Sequence, residues 1–179
     1  MANKKYVIEI TKWQSWSNAL KGVREYRINL QKKHRELLDR LAKFGVEKAE
    51  IRFLKSNYSG TYDVRLEMKK RGKNVRAVVA HGDSAVFIEF GTGITYYPLH
   101  PEADALGFQR GTYGQGKGAN PKGWVYVGEQ GTGDAKELRN RNGVFRTKGN
   151  PANMPMYLTV EELKREIVNI ISEVFGNDL

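Results

Sequence analysis

Apolar residues at helical spacing dominate the first quarter of the chain. Between residues 18 and 44 they recur every three or four positions, which is the spacing of one helix face. This set comprises Leu20, Val23, Tyr26, Leu30, Leu37, Leu38, Leu41 and Phe44. Gly45 follows, and glycine commonly ends a helix. The pattern predicts an amphipathic helix over residues 18–44.

The residues before this helix show a different period. Tyr6, Ile8 and Ile10 alternate with their neighbours, and such alternation predicts a short strand. Residues 1–17 are therefore expected to form an N-terminal arm containing a strand. Ser15 or Ser17 would cap the helix that follows.

Alternating apolar and polar residues predict an antiparallel meander of three or four strands over residues 50–90. Gly72 lies in the hairpin turn KKRGKN, and the segment AHGD makes a second tight turn. The predicted strands are Ile51 to Phe53, Val64 to Met68, NVRAVVA (74–80) and DSAVFIEF (83–90).

The character of the chain changes over residues 91–150, which hold 13 of its 19 glycines. A loop of this length is usually functional or ordered by a partner. WVYV (124–127) predicts a short strand inside it, and NGVF (142–145) could start another.

The chain closes on a helix predicted over residues 158–175. Thr159 and Glu162 have the spacing of a capping box, and Gly176 stops the helix. Together these elements predict an α+β fold in one domain. An antiparallel sheet of about four strands would be packed by the long N-terminal helix and the C-terminal helix, with a long glycine-rich loop.

The charge of the chain is distributed unevenly, and this bears on its function. The chain of 179 residues has a net charge of +10, and residues 1–60 alone hold 14 Lys+Arg against 6 Asp+Glu. Such a surface indicates a polyanionic neighbour, or else a solvated helix face. The basic residues that oppose the apolar face of the first helix are Lys21, Arg24, Lys32, Arg35 and Lys43, with the acids Glu25, Glu36 and Asp39 among them.

The motifs that would indicate catalysis are incomplete. GTYGQGKG (111–118) is one residue short of a phosphate-binding loop, and it lacks the strand before and the helix after that such a loop needs. His100, Glu102 and Asp104 are competent metal ligands, but no further ligands accompany them at fixed spacing. The chain has no cysteine and no G-x-S-x-G elbow. We therefore expect no enzyme activity and no cofactor or metal.

Glu89 is the most distinctive acid in the sequence, since it stands in the apolar run AVFIEFGTGI (85–94). On a strand it would share a face with Ala85 and Phe87, where a carboxylate needs partners. Amide groups of the turn Gly91–Thr92–Gly93 could supply them, or a basic residue of a neighbouring subunit. An edge-strand acid that faces water is the third alternative.

These motifs resemble a family of long-tailed bacteriophage proteins, known as tail-completion or head–tail connector (neck) proteins. The resemblance rests on SAVFIEFGTGI (84–94), on HP (100–101) and GW (123–124) in the loop, and on KGNPANMPMY (148–157). It covers about residues 18–175. Where many relatives carry V-D-T-G-x-L-R, this chain has FLKSNYSGTYDVRLEM (53–68).

The resemblance implies a structural subunit of the virion that acts at the head–tail junction and is present in the host cytoplasm during assembly. Its partners would be further copies in a six-fold or twelve-fold ring, other phage neck and tail proteins, and genomic DNA in the channel, with no membrane. Candidate assembly residues are Glu89, Phe90, Gly91, Thr92, Gly93, Met154, Met156 and Tyr157.

Two rival functions remain. The basic N-terminal helix could make the chain a nonspecific nucleic-acid-binding protein, which predicts salt-dependent DNA binding. His100, Glu102 and Asp104 could instead serve a metal-dependent hydrolase, which predicts metal binding that His100→Ala abolishes. No apolar stretch reaches the length of a membrane span, and the start of the chain does not resemble a signal peptide, so an intracellular protein is expected.

Overall fold

A computed structural model describes most of the chain, in the ranges 7–56, 63–93, 98–108, 120, 122–128 and 135–176. The helices are α1 (Trp13–Lys55), α2 (Ala85–Phe90), α3 (Ala103–Leu106) and α4 (Pro155–Phe175). The strands are β1 (Arg65–Lys70), β2 (Arg76–His81), β3 (Trp124–Val127), β4 (Lys136–Glu137) and β5 (Val144–Thr147).

Helix α1 is far longer than the sequence pattern predicted, since it runs for 43 residues. Gly45 does not end it: this glycine is buried inside the helix, and a side chain there would stand 3.0 Å from Val78. The strand predicted around Ile51 and Phe53 is wrong. Phe53 is only 1% exposed whereas Ile51 is 49% exposed, as expected for a helix with one buried face.

The N-terminal arm also differs from its prediction, because residues 7–9 form no strand. Ser15 holds this arm: its hydroxyl accepts a hydrogen bond from the Glu9 amide (2.9 Å) and donates one to the Val7 carbonyl (3.0 Å). It does not cap α1, and no other side chain in the described part of the chain caps the first turn of this helix.

The predicted hairpin is confirmed in β1 and β2, which pair antiparallel with Met68 opposite Val78. Gly72, with φ of 80°, lies in the turn between them. Residues directly opposite each other in an antiparallel pair point to the same face of the sheet. Met68 therefore shares with Val78 the face that packs on α1.

The last predicted strand of the meander is instead the short helix α2. Asp63 accepts hydrogen bonds from the Ser84 amide and hydroxyl, which fixes the start of this helix. Ala85 and Ile88 are buried at a spacing of three, so the apolar run follows the helical period. A short apolar run fits a buried strand and a helix equally well. Here the helix is formed because it places both Ala85 and Ile88 in the core.

Residues 91–150 are not one long loop, since their described parts contain α3 and three short strands. The strands pair antiparallel in the order β3-β5-β4, with Tyr126 opposite Phe145. The strands predicted at residues 124–127 and 142–145 correspond to β3 and β5. The phosphate-loop-like segment 111–118 lies outside the described residues.

Helix α4 begins at Pro155, three residues before its predicted start. Proline suits the first turn of a helix because its φ is already helical and its missing N–H has no intrahelical acceptor there. Thr159 and Glu162 form no capping box. The Thr159 hydroxyl donates to the Pro155 carbonyl (2.7 Å), and Glu162 pairs with Lys48 (2.7 Å). Gly176 ends the helix with φ of 69°, as predicted.

Helix α4 packs antiparallel on the second half of α1. Arg52 donates to Thr159 (3.1 Å) near the start of α4, and Lys33 donates to the carbonyl of Phe175 (3.2 Å) at its end. The core lies where α1, the hairpin and α2 meet, and it is formed by Ala49, Phe53, Val64, Ala85 and Ile88.

The α+β class is confirmed, but the described residues contain two small antiparallel sheets, of two and three strands, rather than one of about four. Within the described part of the chain, every helix is too short or too polar to cross a membrane.

Candidate functional site

Two of the motif segments singled out in the sequence, around residues 88–93 and 148–157, lie directly against each other. The Thr92 amide donates to the Asn150 carbonyl (2.8 Å), and the Asn150 amide donates to both the Thr92 carbonyl (3.1 Å) and its hydroxyl (2.9 Å). The Met154 amide donates to the Glu89 carbonyl (3.2 Å). We call this contact of residues 88–93 with residues 148–157 the motif junction.

Glycines make the close approach in the motif junction possible. Gly91 has φ of 80°, and a Cβ atom there would stand 2.7 Å from the Asn150 carbonyl oxygen. A Cβ atom on Gly93 would collide with the Lys148 carbonyl, and one on Gly149 with the Thr92 carbonyl. Both backbones therefore need glycine at these points.

Glu89 is the centre of the junction and is only 6% exposed. Its carboxylate accepts hydrogen bonds from the Met156 amide (2.8 Å) and the Tyr157 amide (2.9 Å). Amides in the first turn of a helix have no intrahelical acceptor, and a negative charge is favoured there. Glu89 thus caps α4 from a distant part of the chain. Among the alternatives for Glu89, the water-facing acid on an edge strand is wrong, and the amide donors belong to α4 rather than to the turn Gly91–Thr92–Gly93.

His100 is the third donor to Glu89, with 3.0 Å between Nε2 and the carboxylate. Its Nδ1 accepts the Glu102 amide (3.1 Å), so the neutral imidazole carries its proton on Nε2. The ring lies 4.4 Å from that of Phe90 and 5.3 Å from that of Tyr157. The imidazole that bonds to the carboxylate is thus itself in contact with two aromatic rings.

His100 is therefore already hydrogen-bonded to Glu89. The other two residues of the metal hypothesis, Glu102 and Asp104, are exposed. Among the residues that the structure describes, no three His, Asp or Glu side chains are grouped so as to hold a metal ion. The junction instead fixes the start of α4 against α2. Met154, Met156 and Tyr157 are half-buried within it.

The predicted basic residues share one face of α1. At about 100° per residue, the five lie within roughly 100° of the helix circumference. All are exposed, and four of them form no ion pair with the described residues; Lys43 lies 3.9 Å from Glu47. We call this set the basic face; it consists of Lys21, Arg24, Lys32, Arg35 and Lys43.

The sequence did not predict that a second, apolar side of α1 is exposed. Four large apolar side chains of its first half are exposed although the sequence pattern placed them against the core, and Trp16 just before them is exposed as well. Their exposed fractions are 41% for Trp16, 52% for Leu20, 59% for Val23, 57% for Tyr26 and 42% for Leu30. We call these five residues the apolar stripe.

The stripe is exposed because α4 is too short to cover it. The last residue of α4, Phe175, lies beside Lys33, so residues 13–32 of α1 extend about 30 Å past it. The sequence held one signal of this, since the predicted first helix was half as long again as the predicted last one.

Comparison of the chain with family models, with curated proteins and with solved structures found no match.

Proposed function

We propose that this chain is a non-enzymatic structural subunit of the phage head–tail connector or upper tail. It would assemble as a ring around the DNA channel and join the tail to the capsid. The proposal combines the motif resemblance with one observation, the apolar stripe on the projecting half of α1. The virion would be its final location, and the host cytoplasm its location during assembly.

The stripe supports an assembly role because a soluble chain rarely exposes a contiguous apolar surface without a partner. Its residues continue the face of α1 that α4 covers from Lys33 onward, so the projecting half offers a prepared site for another helix. Helices that pack side by side need this spacing of apolar residues.

A second copy of this chain fits the stripe. The basic face points away from the stripe, which limits charge repulsion between copies that meet there. The exposed apolar side chains of α4, which include Ile167 and Val168, give a further copy a surface to dock on. Unlike surfaces that meet head to tail produce rings when the rotation closes.

The motif junction has a supporting role in this proposal. It ties the FIEFGTG segment to the start of α4 through buried hydrogen bonds, and so sets the position of α4 against α1. The resemblance would then reflect a shared framework that presents the docking helices, with contacts to other neck and tail proteins made elsewhere on the surface.

Two substitutions in the stripe test the proposal in the assembling particle. Leu20→Ser with Val23→Ser removes two apolar contacts at exposed positions, so the fold should stay intact while joining of tails to capsids falls by at least about tenfold. Ile28→Ser is the matched control, because Ile28 is 65% exposed and lies roughly 140° around the helix from Val23.

The readout is the yield of infectious particles from a phage that carries each variant. If the double variant yields as many particles as the Ile28 control, α1 does not act in assembly and the proposal fails.

A further inference from the structure

The turn between β1 and β2 carries a dense group of basic residues, with five in the segment KKRGKNVR (69–76). Two of them are paired: Lys69 with Glu67 (2.7 Å) and Arg76 with Asp39 (2.5 Å). Lys70, Arg71 and Lys73 are exposed and form no ion pair with the residues that the structure describes.

The hairpin directs this turn along α1 toward the basic face. Val78 packs beside Gly45, and Arg76, two residues nearer the turn, reaches Asp39. The contacts on α1 thus move toward its N-terminus as the strands approach the turn. Beyond Asp39 in that direction lie Arg35 and Lys32, four and seven residues earlier on the same helix face.

Asp39, the carboxylate between Arg35 and the hairpin, forms an ion pair with Arg76. The hydrogen bond from Arg76 lowers the pKa of Asp39, and the charges of Arg76 and Lys70 lower it further. Lys70 is opposite Arg76 in the hairpin, so its charge lies near the helix face as well. The positive charges around Asp39 therefore outnumber the negative ones.

We propose that Lys32, Arg35, Lys70, Arg71 and Lys73 form one composite surface that binds the phosphate backbone of nucleic acid. The sequence indicated only the helix as a polyanion site, because the hairpin turn is brought to it by the fold. The inference is independent of the assembly role, since the apolar stripe lies on another side of α1.

Nucleic acid fits this surface better than an acidic protein does. Protein interfaces have an apolar centre and are poor in lysine, whereas this surface has charged side chains with only isolated apolar ones, such as Ile28 and Val75. Lysine and arginine that meet phosphates need no apolar centre. The basic face continues the surface, and Lys21 to Lys43 span about 33 Å, close to one turn of duplex DNA.

The test is the salt dependence of binding to a labelled DNA duplex of about 20 base pairs, measured by fluorescence anisotropy between about 50 and 200 mM salt. The variant is Lys70→Ser, Arg71→Ser and Lys73→Ser together. The matched control removes the same charge from the second sheet, through Lys136→Ser, Arg139→Ser and Arg141→Ser.

Each lost phosphate contact should reduce the slope of log K against log salt by about 0.9. The hairpin variant should therefore bind with a slope shallower by about 2.7, and the control should match the unchanged protein. Arg71→Ser alone should reduce the slope by about 0.9 and provides the readout if the triple variant does not fold.

Three results would overturn the proposal. The first is absence of DNA binding at the lowest salt. The second is an equal loss in the control, which would show that net charge alone matters. The third is binding of poly-glutamate as tight as that of DNA, with the same loss in the hairpin variant, which would identify an acidic protein as the partner.

Discussion

A single buried carboxylate organises the contact between α2 and the start of α4. Glu89 has three donors, two of them amides that belong to residues 67 and 68 positions later in the chain. The sequence indicated that Glu89 needs partners, because its neighbours are apolar. It could not identify them, because hydrogen bonds across such a separation depend on how α2 and α4 meet.

Glu89→Ala should destabilise the fold by roughly 3 kcal/mol, since it leaves two amides and the His100 N–H buried without an acceptor. Glu89→Gln keeps one acceptor oxygen and should cost less. Urea unfolding measures both, with exposed Glu102→Ala as a control that stays within about 0.5 kcal/mol of the unchanged protein. An alanine variant as stable as that control would show that the Glu89 bonds do not stabilise the fold.

Comparing two glycines with nearly the same φ distinguishes the cost of a steric clash from the cost of backbone strain alone. Gly93 has φ of 80° and Gly107 has φ of 77°, but only at Gly93 would a Cβ atom meet another backbone. Gly107→Ala should cost about 1 kcal/mol, the usual strain of alanine in this conformation. Gly93→Ala should cost at least about 2 kcal/mol more, because the Lys148 carbonyl must move. Thermal unfolding compares them, and equal losses would contradict the close approach.

At the scale of elements, the sequence predicted the types of most helices and strands but not their ends. The β1–β2 hairpin and α4 follow their patterns closely because alternation and helical spacing are strong there. Gly45 was misleading, since glycine also serves where another element packs closely on a helix, as Val78 does here. Phe53 looked like a strand residue because its helical neighbours on the buried face are small.

The contact between α1 and α4 makes a prediction about pH. Hydrogen bonds from Lys48 and Arg52 lower the pKa of Glu162 below its ordinary value of 4.5. A carboxyl with a lowered folded pKa stabilises the fold above its unfolded pKa, and this contribution is lost as the pH falls through the folded value. The side chain is partly exposed, so the contribution is up to about 1 kcal/mol.

Glu162→Gln should therefore reduce stability at neutral pH by up to about 1 kcal/mol and leave it unchanged near pH 2. Glu161→Gln is the control, because among the described residues Glu161 pairs only with Lys164 on the same helix, where both side chains are more exposed. Denaturant unfolding at several pH values gives the comparison. A constant difference between Glu162→Gln and the unchanged protein at all pH values would contradict the account.

At the scale of the whole molecule, α1 presents two chemically different exposed sides. The apolar stripe continues the face that α4 covers, and the basic face lies around the helix from it. Periodicity predicted the basic face and all of the stripe except Trp16, but it assigned the stripe to the core. That error has a physical cause, because spacing shows which residues share a face and not whether another element reaches far enough to bury them.

The native mass of the purified protein, alone and then mixed with phage tails that lack it, tests the central claim most directly. The account predicts a defined ring of several copies in solution, or a monomer that joins tails in a fixed ratio. Leu20→Ser with Val23→Ser should abolish either behaviour, while Ile28→Ser should preserve it. A lasting monomer that ignores tails would contradict the assembly role of α1.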